Sequence, residues 1–302
     1  MSALDLAART FVGARALYRR ARTSTLATVL RMRLARLETA QWRWLTEPLT
    51  PGEKCCLFVS YSPDGQLPQR AVDHARIWQQ GGYEVLFIIA LDDFAVQPQV
   101  PFGHAIAREN TGFDFAAWAS PIGELDWSAT RFLATVNDSV YASTRLAEEI
   151  ARAEKHPADM VGFTDSHDYR WHLQSYAWHF KRAAIAHPAF AQFWARPTGD
   201  RAHAIFVFET QLAQLLRGHG LQVAALYPTA ARLDPTFDDW LDLARKGLPY
   251  VKRRALALHY DAWAPHLAEL GFDAKLIERD RPAPETGAKP GLLRQAARRA
   301  MR

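Results

Sequence analysis

Apolar residues along this chain follow two rhythms, and the switch between them predicts the architecture. Residues 1–47 repeat at helical spacing: Leu30, Leu34 and Leu37 share one face, Arg31, Arg33 and Arg36 surround it, and no glycine or proline follows Gly13. That pattern predicts an amphipathic helix. Thr50-Pro51-Gly52 ends it, and short continuous apolar runs begin. Cys56 to Tyr61 reads as a buried parallel strand that turns polar at its end. Pro68 then opens a helix with Ala71, Ala75 and Trp78 on its inner face, and Gly81-Gly82 closes it. Tyr83 to Leu91 is a second buried strand, stopped by Asp92-Asp93, which completes a βαβ unit.

The alternation continues. Strands are expected at 131–136, 160–163 and 221–227, with helices near 144–153, from His172 and from Glu209. The His172 helix would carry Leu173, Tyr176, Ala177 and Phe180 on one face, and the Glu209 helix Leu212, Leu215 and Leu216. Alternating strands and helices indicate an open α/β sheet with helices on its faces. Ligands of such sheets bind beyond the carboxyl ends of the strands. Here those ends carry Ser60, Tyr61, Asp92, Asn137-Asp138-Ser139 and Asp165. Residues 280–302 are rich in proline and arginine, and only a short basic helix is expected at their end.

Composition narrows the class. With 302 residues, 49% hydrophobic and 23% charged, the chain can bury a full core without disulfides or structural metal. Its two cysteines, Cys55 and Cys56, are adjacent and open a strand, so they are expected as reduced thiols of a cytoplasmic protein. No run reaches the roughly 18–20 apolar residues of a spanning helix. Arginines break the apolar stretches at the N-terminus, unlike a secretory signal. The net charge of +5 sits at the ends, with Arg9 to Arg36 at one and Arg294 to Arg302 at the other. Basic ends on a balanced body suit an anionic partner, lipid headgroups or nucleic acid.

Several segments could carry chemistry. Arg108-Glu109-Asn110-Thr111-Gly112-Phe113-Asp114 packs a cation, an amide, a glycine and a carboxylate into one loop. Arginine can hold a phosphate bidentately and glycine admits close backbone approach; an ordinary helix-capping turn would look the same. Asn137-Asp138-Ser139 follows a strand, where a carboxylate can take a hard cation and diphosphate oxygens, or merely cap a helix. His167, His172, Gln174 and Ser175 crowd a strand-to-helix junction with Asp165; no HExxH or cysteine partner supports zinc there. Glu209 opens a helix, as a general base or as a partner of the helix dipole. The absence of GxSxG, GxxxxGK[ST] and GxGxxG removes serine-hydrolase, P-loop and classical dinucleotide readings.

The order of these pieces resembles the rhamnan synthesis protein F family of bacterial polysaccharide glycosyltransferases, over roughly residues 50–255. The resemblance rests on Arg108-x-Asn110-x-Gly112-x-Asp114, Asn137-Asp138-Ser139, His172-Leu173-Gln174-Ser175-Tyr176, Glu209 and Pro249-Tyr250-Val251-Lys252. It implies a GT-A-like, Rossmann-type domain at 48–258, between the N-terminal segment 1–47 and a C-terminal helix and basic tail at 259–302. It further implies a nucleotide-sugar donor such as dTDP-L-rhamnose, a polysaccharide or lipid-linked acceptor, and single displacement with inversion. By position, Asn137-Asp138-Ser139 would stand for the DxD motif, with Asp138 on a divalent cation (Mg or Mn). It keeps one aspartate of that motif's two. Ser60, Tyr61, Asp92, Arg108, Asn110, Gly112 and Asp114 would surround the donor, converging at one sheet edge. Lys252 would neutralise the diphosphate, and His167, His172, Gln174 and Ser175 would face the sugar or acceptor. Glu209 would be the base, with Asp165 next in line. The arginine-rich segment would then meet an anionic inner-membrane surface rather than nucleic acid. The competing classes are a metal-dependent hydrolase using Asp138, Asp165 and His167, and an inactive binding module of a synthase complex.

Overall fold

A computed structural model describes residues 40–167, 170–195, 204–229, 236 and 239–280. The helix expected over 1–47 lies almost wholly outside the described residues. Its end does not. Trp42–Trp44 forms a strand, β1, antiparallel to the edge of the main sheet. Helical spacing of leucines therefore does not continue to Glu47.

The expected βαβ unit is present as β2 (Lys54–Tyr61), α1 (Gln69–Gln80) and β3 (Glu84–Leu91). Both cysteines are free and buried on β2. The chain continues through β4 (His104–Glu109), α2 (Phe113–Glu124), β5 (Phe132–Asn137), β6 (Val140–Ala142) and α3 (Leu146–Lys155). Then follow β7 (Met160–Ser166), β8 (His172–Leu173), β9 (Ala177–Lys181), α4 (Arg182–Ile185) and α5 (Pro188–Trp194). A π-helix (Ala204–Glu209) runs into α6 (Thr210–Gly218), followed by β10 (Val223–Tyr227), α7 (Trp240–Arg245) and β11 (Tyr250–Lys252). Helices α8 (Arg253–Leu267) and α9 (Ala274–Arg279) complete the described chain.

The main sheet has the order β1-β4-β3-β2-β5-β9-β7-β10, with β8 added to β7. Strands β4, β3, β2 and β5 are parallel neighbours, β9 is reversed between β5 and β7, and β10 is again parallel to β7. This is the open, mostly parallel α/β sheet expected from the sequence. Along β2 the side chains alternate: Cys56 and Phe58 join one core layer with α1 and α3, while Cys55, Leu57 and Val59 join the other with α2, α5 and α6. Both faces are covered, which is why β2 and β3 read as unbroken apolar runs.

One expectation fails here. No helix starts at His172; that segment is β8, a turn and the reversed strand β9. Since β9 lies inside the sheet and is buried on both faces, its apolar pattern has no period that separates strand from helix. Helix α8 packs with α7, β11 and Tyr141 in a third apolar cluster.

Gly103 enters β4 at φ +69, and a Cβ there would lie 2.6 Å from the Val85 carbonyl oxygen. Gly103→Ala should therefore lower the unfolding free energy by about 2 kcal/mol, read by chemical denaturation, because strained backbone and clash add.

Candidate functional site

Parallel register brings the ends of β2, β3, β4 and β5 side by side, Tyr61 beside Ala90, Leu91 beside Glu109 and Val59 beside Asn137. At this carboxyl edge the Tyr61 hydroxyl donates to Asp92 Oδ2 at 2.6 Å, and Asn110 Nδ2 donates to Asp92 Oδ1 at 3.1 Å. Those two donors, Tyr61 first, hold the Asp92 carboxyl below its ordinary range. Tyr61 and Phe113 are exposed by 46% and 49%, unusual for large apolar side chains, and both stand at this edge.

Three carboxylates from separate elements gather next to these aromatics. Asp114 lies in the first turn of α2, after Gly112 at φ 69 and Phe113 at φ 57. A phenylalanine in left-handed backbone carries strain of about 1–3 kcal/mol, and it fixes where the helix starts. Asn137 Nδ2 donates to Asp114 Oδ2 at 2.7 Å, while Asn137 Oδ1 accepts from the Ser139 amide and hydroxyl. Asp138 Oδ2 accepts from Ser60 Oγ at 2.9 Å and from Arg70 Nη2 at 3.1 Å. Burial pushes the Asp138 carboxyl upward, against the pull of Arg70 and the Ser60 hydroxyl. Asp114 is pushed up to about 7, by burial first and then by the Asp138 charge, with Glu209 adding and the Asn137 amide opposing.

Glu209 is the third carboxylate. It does not open its helix as the sequence suggests; it ends the π-helix and leads directly into α6. It is therefore no partner for a free helix N-terminus, and π-helical turns recur at functional sites. Its Oε1 accepts from the Ser175 amide at 3.0 Å and hydroxyl at 2.9 Å. Its Oε2 has no hydrogen-bond partner among the described residues.

Other expected residues are engaged elsewhere. Arg108 is buried, and its Nη1 donates to the Thr111 carbonyl oxygen at 2.8 Å. Burial lowers its pKa to about 10. It shares a sheet face with Ile106, on the α2 side, whereas Asp138 turns to Ser60 and Arg70 on the α1 side. The two residues share an edge but not a face. Arg108 shapes the loop before α2. Asp165 uses both oxygens on structure, Oδ2 for Trp171 Nε1 at 2.8 Å and Oδ1 for the amide and hydroxyl of Thr229 at 2.7 and 2.8 Å. Asp165 thus ties the Trp171 loop to Thr229 through both of its oxygens. His172 is buried with Nδ1 at 2.9 Å from the Arg170 carbonyl oxygen, and Gln174 is buried between Thr164 and Thr236. His167 is exposed at the end of β7. Lys252 ends β11, in register with Val140 next to Asp138-Ser139.

Sequence reasoning missed the cations. Arg70 of α1 is buried and bridges Asp138 to Asp280, 2.8 Å away at the end of α9. Asp280 also accepts from the Tyr141 hydroxyl at 2.7 Å and faces Arg253 Nε at 3.8 Å. A single arginine on an amphipathic helix gives no signal of this, because its partners are 68 and 210 residues away.

The donor set fits a divalent cation poorly. Mg2+ and Mn2+ favour several oxygen ligands, whereas the one carboxylate of the Asn137-Asp138-Ser139 turn has an oxygen shared by an arginine and a serine hydroxyl. The Asn137 and Ser139 oxygens are bonded to each other. No group of three or more metal-ligating side chains occurs among the described residues.

Residues 101–272, more than half of the chain, match the family described as rhamnan synthesis protein F, and the chain belongs to it. The virulence protein VirA of Vibrio anguillarum is 24% identical over 190 residues, which cover 50% of this chain and 61% of VirA. The chain thus spans less than two thirds of that relative. Among solved structures, a glycosyltransferase involved in glycosylation of the PBCV-1 major capsid is 11% identical, with a TM-score of 0.35 over 66% of this chain and 93% of that one. The inositol-1-phosphate CTP transferase of T. maritima is 8% identical, with a TM-score of 0.31 over 66% and 99%.

The Asp114 carboxyl gives a signed pH test. Its folded pKa of about 7 exceeds the ordinary 3.8, so ionisation in the folded state is unfavourable and stability falls as pH rises between those values. Asp114→Asn should accordingly raise the melting temperature at pH 8 and lose that gain near pH 4. Equal effects at both pH values would show that the buried charge is not the cause.

Proposed function

We propose that this protein is a glycosyltransferase that moves a sugar from a nucleotide diphosphate onto a growing surface glycan or its lipid-linked precursor. The observation that supports it most is the gathering of Asp114, Asp138 and Glu209 at the carboxyl edge of a parallel sheet, next to exposed Tyr61 and Phe113. Family membership directs the chemistry to polysaccharide synthesis. A deoxyhexose donor such as dTDP-L-rhamnose is the reading closest to the family's name.

In this reading the donor lies over the ends of β2, β3 and β5, and the aromatic rings of Tyr61 and Phe113 offer stacking faces to base or sugar. Glu209 is the base. Ser175 holds Oε1 and leaves Oε2 for the acceptor hydroxyl. The acceptor oxygen attacks the anomeric carbon, the bond from that carbon to the diphosphate oxygen breaks with its electron pair, and the acceptor proton passes to Glu209. Attack opposite the leaving group inverts the anomeric centre. Lys252, in register with Val140 next to Ser139, would meet the departing diphosphate. Asp165, by contrast, holds the Trp171 loop to the end of β10.

Glu209→Gln keeps an acceptor for Ser175 and removes the base. Transfer should fall by about 10²–10⁴-fold while donor affinity stays within a few-fold, measured by sugar release and calorimetry. Asp165→Asn should instead lose stability, by about 1–3 kcal/mol, with the remaining folded protein still active.

We also infer that the arginine-rich N-terminal segment brings the enzyme to an anionic membrane surface, where lipid-linked acceptors lie. No helix among the described residues is long and apolar enough to cross a membrane. Each basic residue near such a surface contributes about 1 kcal/mol. A truncation must spare β1, so the test removes residues 1–39. The shortened protein should fail to sediment with anionic liposomes at low salt yet retain transfer to a soluble acceptor. Sedimentation equal to that of the full chain would rule the docking out.

A further inference from the structure

Asp280 occupies a site built for an anion. Its Oδ1 lies 2.8 Å from Arg70 Nη1, and its Oδ2 accepts from the Tyr141 hydroxyl at 2.7 Å and stands 3.8 Å from Arg253 Nε. Two guanidinium groups and a phenol thus converge on one carboxylate. The Arg70 side chain is only 7% exposed, and both Arg70 Nε and Arg253 Nε are buried without a hydrogen-bond partner among the described residues. One carboxylate leaves this donor set unsatisfied. A phosphate, with more oxygens and more charge, would use more of it.

The surroundings agree. A cavity of about 300 Å³ is lined by Tyr141, Arg253, Arg254, Tyr260 and Ile277. A second, of about 200 Å³, is lined by Arg70, His74, Tyr141 and Ile277, so both border α9 at Ile277. Helix α9 has only six residues, of which Ile277 alone is buried. Asp280 closes its C-terminal end. So small an element, held by buried Ile277, half-buried Ala274 and the Asp280 carboxylate, can be displaced at low cost.

We propose that Arg70, Arg253 and Tyr141 form a diphosphate-binding site, and that Asp280 is its internal occupant, which the ligand displaces. The proposal deepens the glycosyltransferase reading and rests on it for the identity of the ligand. It also gives the single aspartate at 138 a physical context. Arg70 already bridges Asp138 to this site, so arginines supply the positive charge that a second metal-binding aspartate would recruit.

Inorganic pyrophosphate is the probe, because it tests the anion site without a base or sugar. Calorimetry at low ionic strength in EDTA should show pyrophosphate binding to the full chain. Asp280→Ala should tighten that binding about tenfold, since a competing carboxylate is gone. Adding Arg253→Met to Asp280→Ala should abolish the gain. Arg253 is the arginine to change, because its side chain is 38% exposed and its loss leaves the Arg70–Asp138 pair intact. Absence of binding in both proteins, dependence of binding on magnesium, or a gain that survives loss of Arg253 would each overturn the proposal. Donor turnover, assayed separately, tells the two readings apart: normal transfer with no pyrophosphate effect removes this inference and leaves the glycosyltransferase standing.

Discussion

The buried Arg70–Asp138 ion pair governs the arrangement of this edge of the sheet. A carboxylate following a central strand is costly to bury unless it is paired and hydrogen-bonded. Here the pairing comes from α1, through Arg70, and from β2, through Ser60. Because Asp138 is held on the α1 side, the adjacent Asn137 is free to turn to the α2 side and grip Asp114. One strand end thereby positions two carboxylates on two faces of the sheet. Removing the arginine would leave Asp138 and Asp280 both without their main partner.

Electrostatic crowding is the second consequence. Asp114, Asp138 and Glu209 come from α2, the end of β5 and the π–α junction, and their mutual repulsion is tolerated because hydrogen-bond donors surround each. Asn137 serves Asp114, Ser60 serves Asp138 and Ser175 serves Glu209. Carboxyls pushed upward by burial, as Asp114 and Asp138 are, occur more often at reaction sites than in structural cores. Left-handed backbone at Gly112-Phe113 and the π-helix before Glu209 place local strain at the same spot. Among the described residues other than glycine, Phe113 alone has a positive φ, and it stands where the chemistry is proposed.

How much of this the sequence reveals depends on the range of the interaction. The β2-α1-β3 unit is legible because Pro68, Gly81-Gly82 and Asp92-Asp93 punctuate runs of clear length. Glu209, Asp114 and Asp138 are legible as polar residues beside apolar runs. The segment from His172 is not, since a strand buried on both faces lacks a two-residue period. Arg108 and Asp165 look like site residues for the same reason as the others, by position after a strand. Only the fold shows that Arg108 donates to the Thr111 carbonyl and that Asp165 holds Trp171 and Thr229. Arg70 and Asp280 carry no local signal at all, because their meaning lies in a contact across most of the chain.

The central claim is that the carboxyl edge around Asp138 binds a nucleotide sugar. The most direct measurement is the melting temperature of the full chain across a panel of nucleotide sugars, repeated with Asp138→Asn. A ligand at a hundred times its dissociation constant stabilises the folded state by about 2.7 kcal/mol, a shift of a few degrees for a protein of this size. The account predicts that one donor raises the melting temperature of the native protein and that the variant loses most of that rise. A panel without effect, or an equal rise in Asp138→Asn, would contradict it.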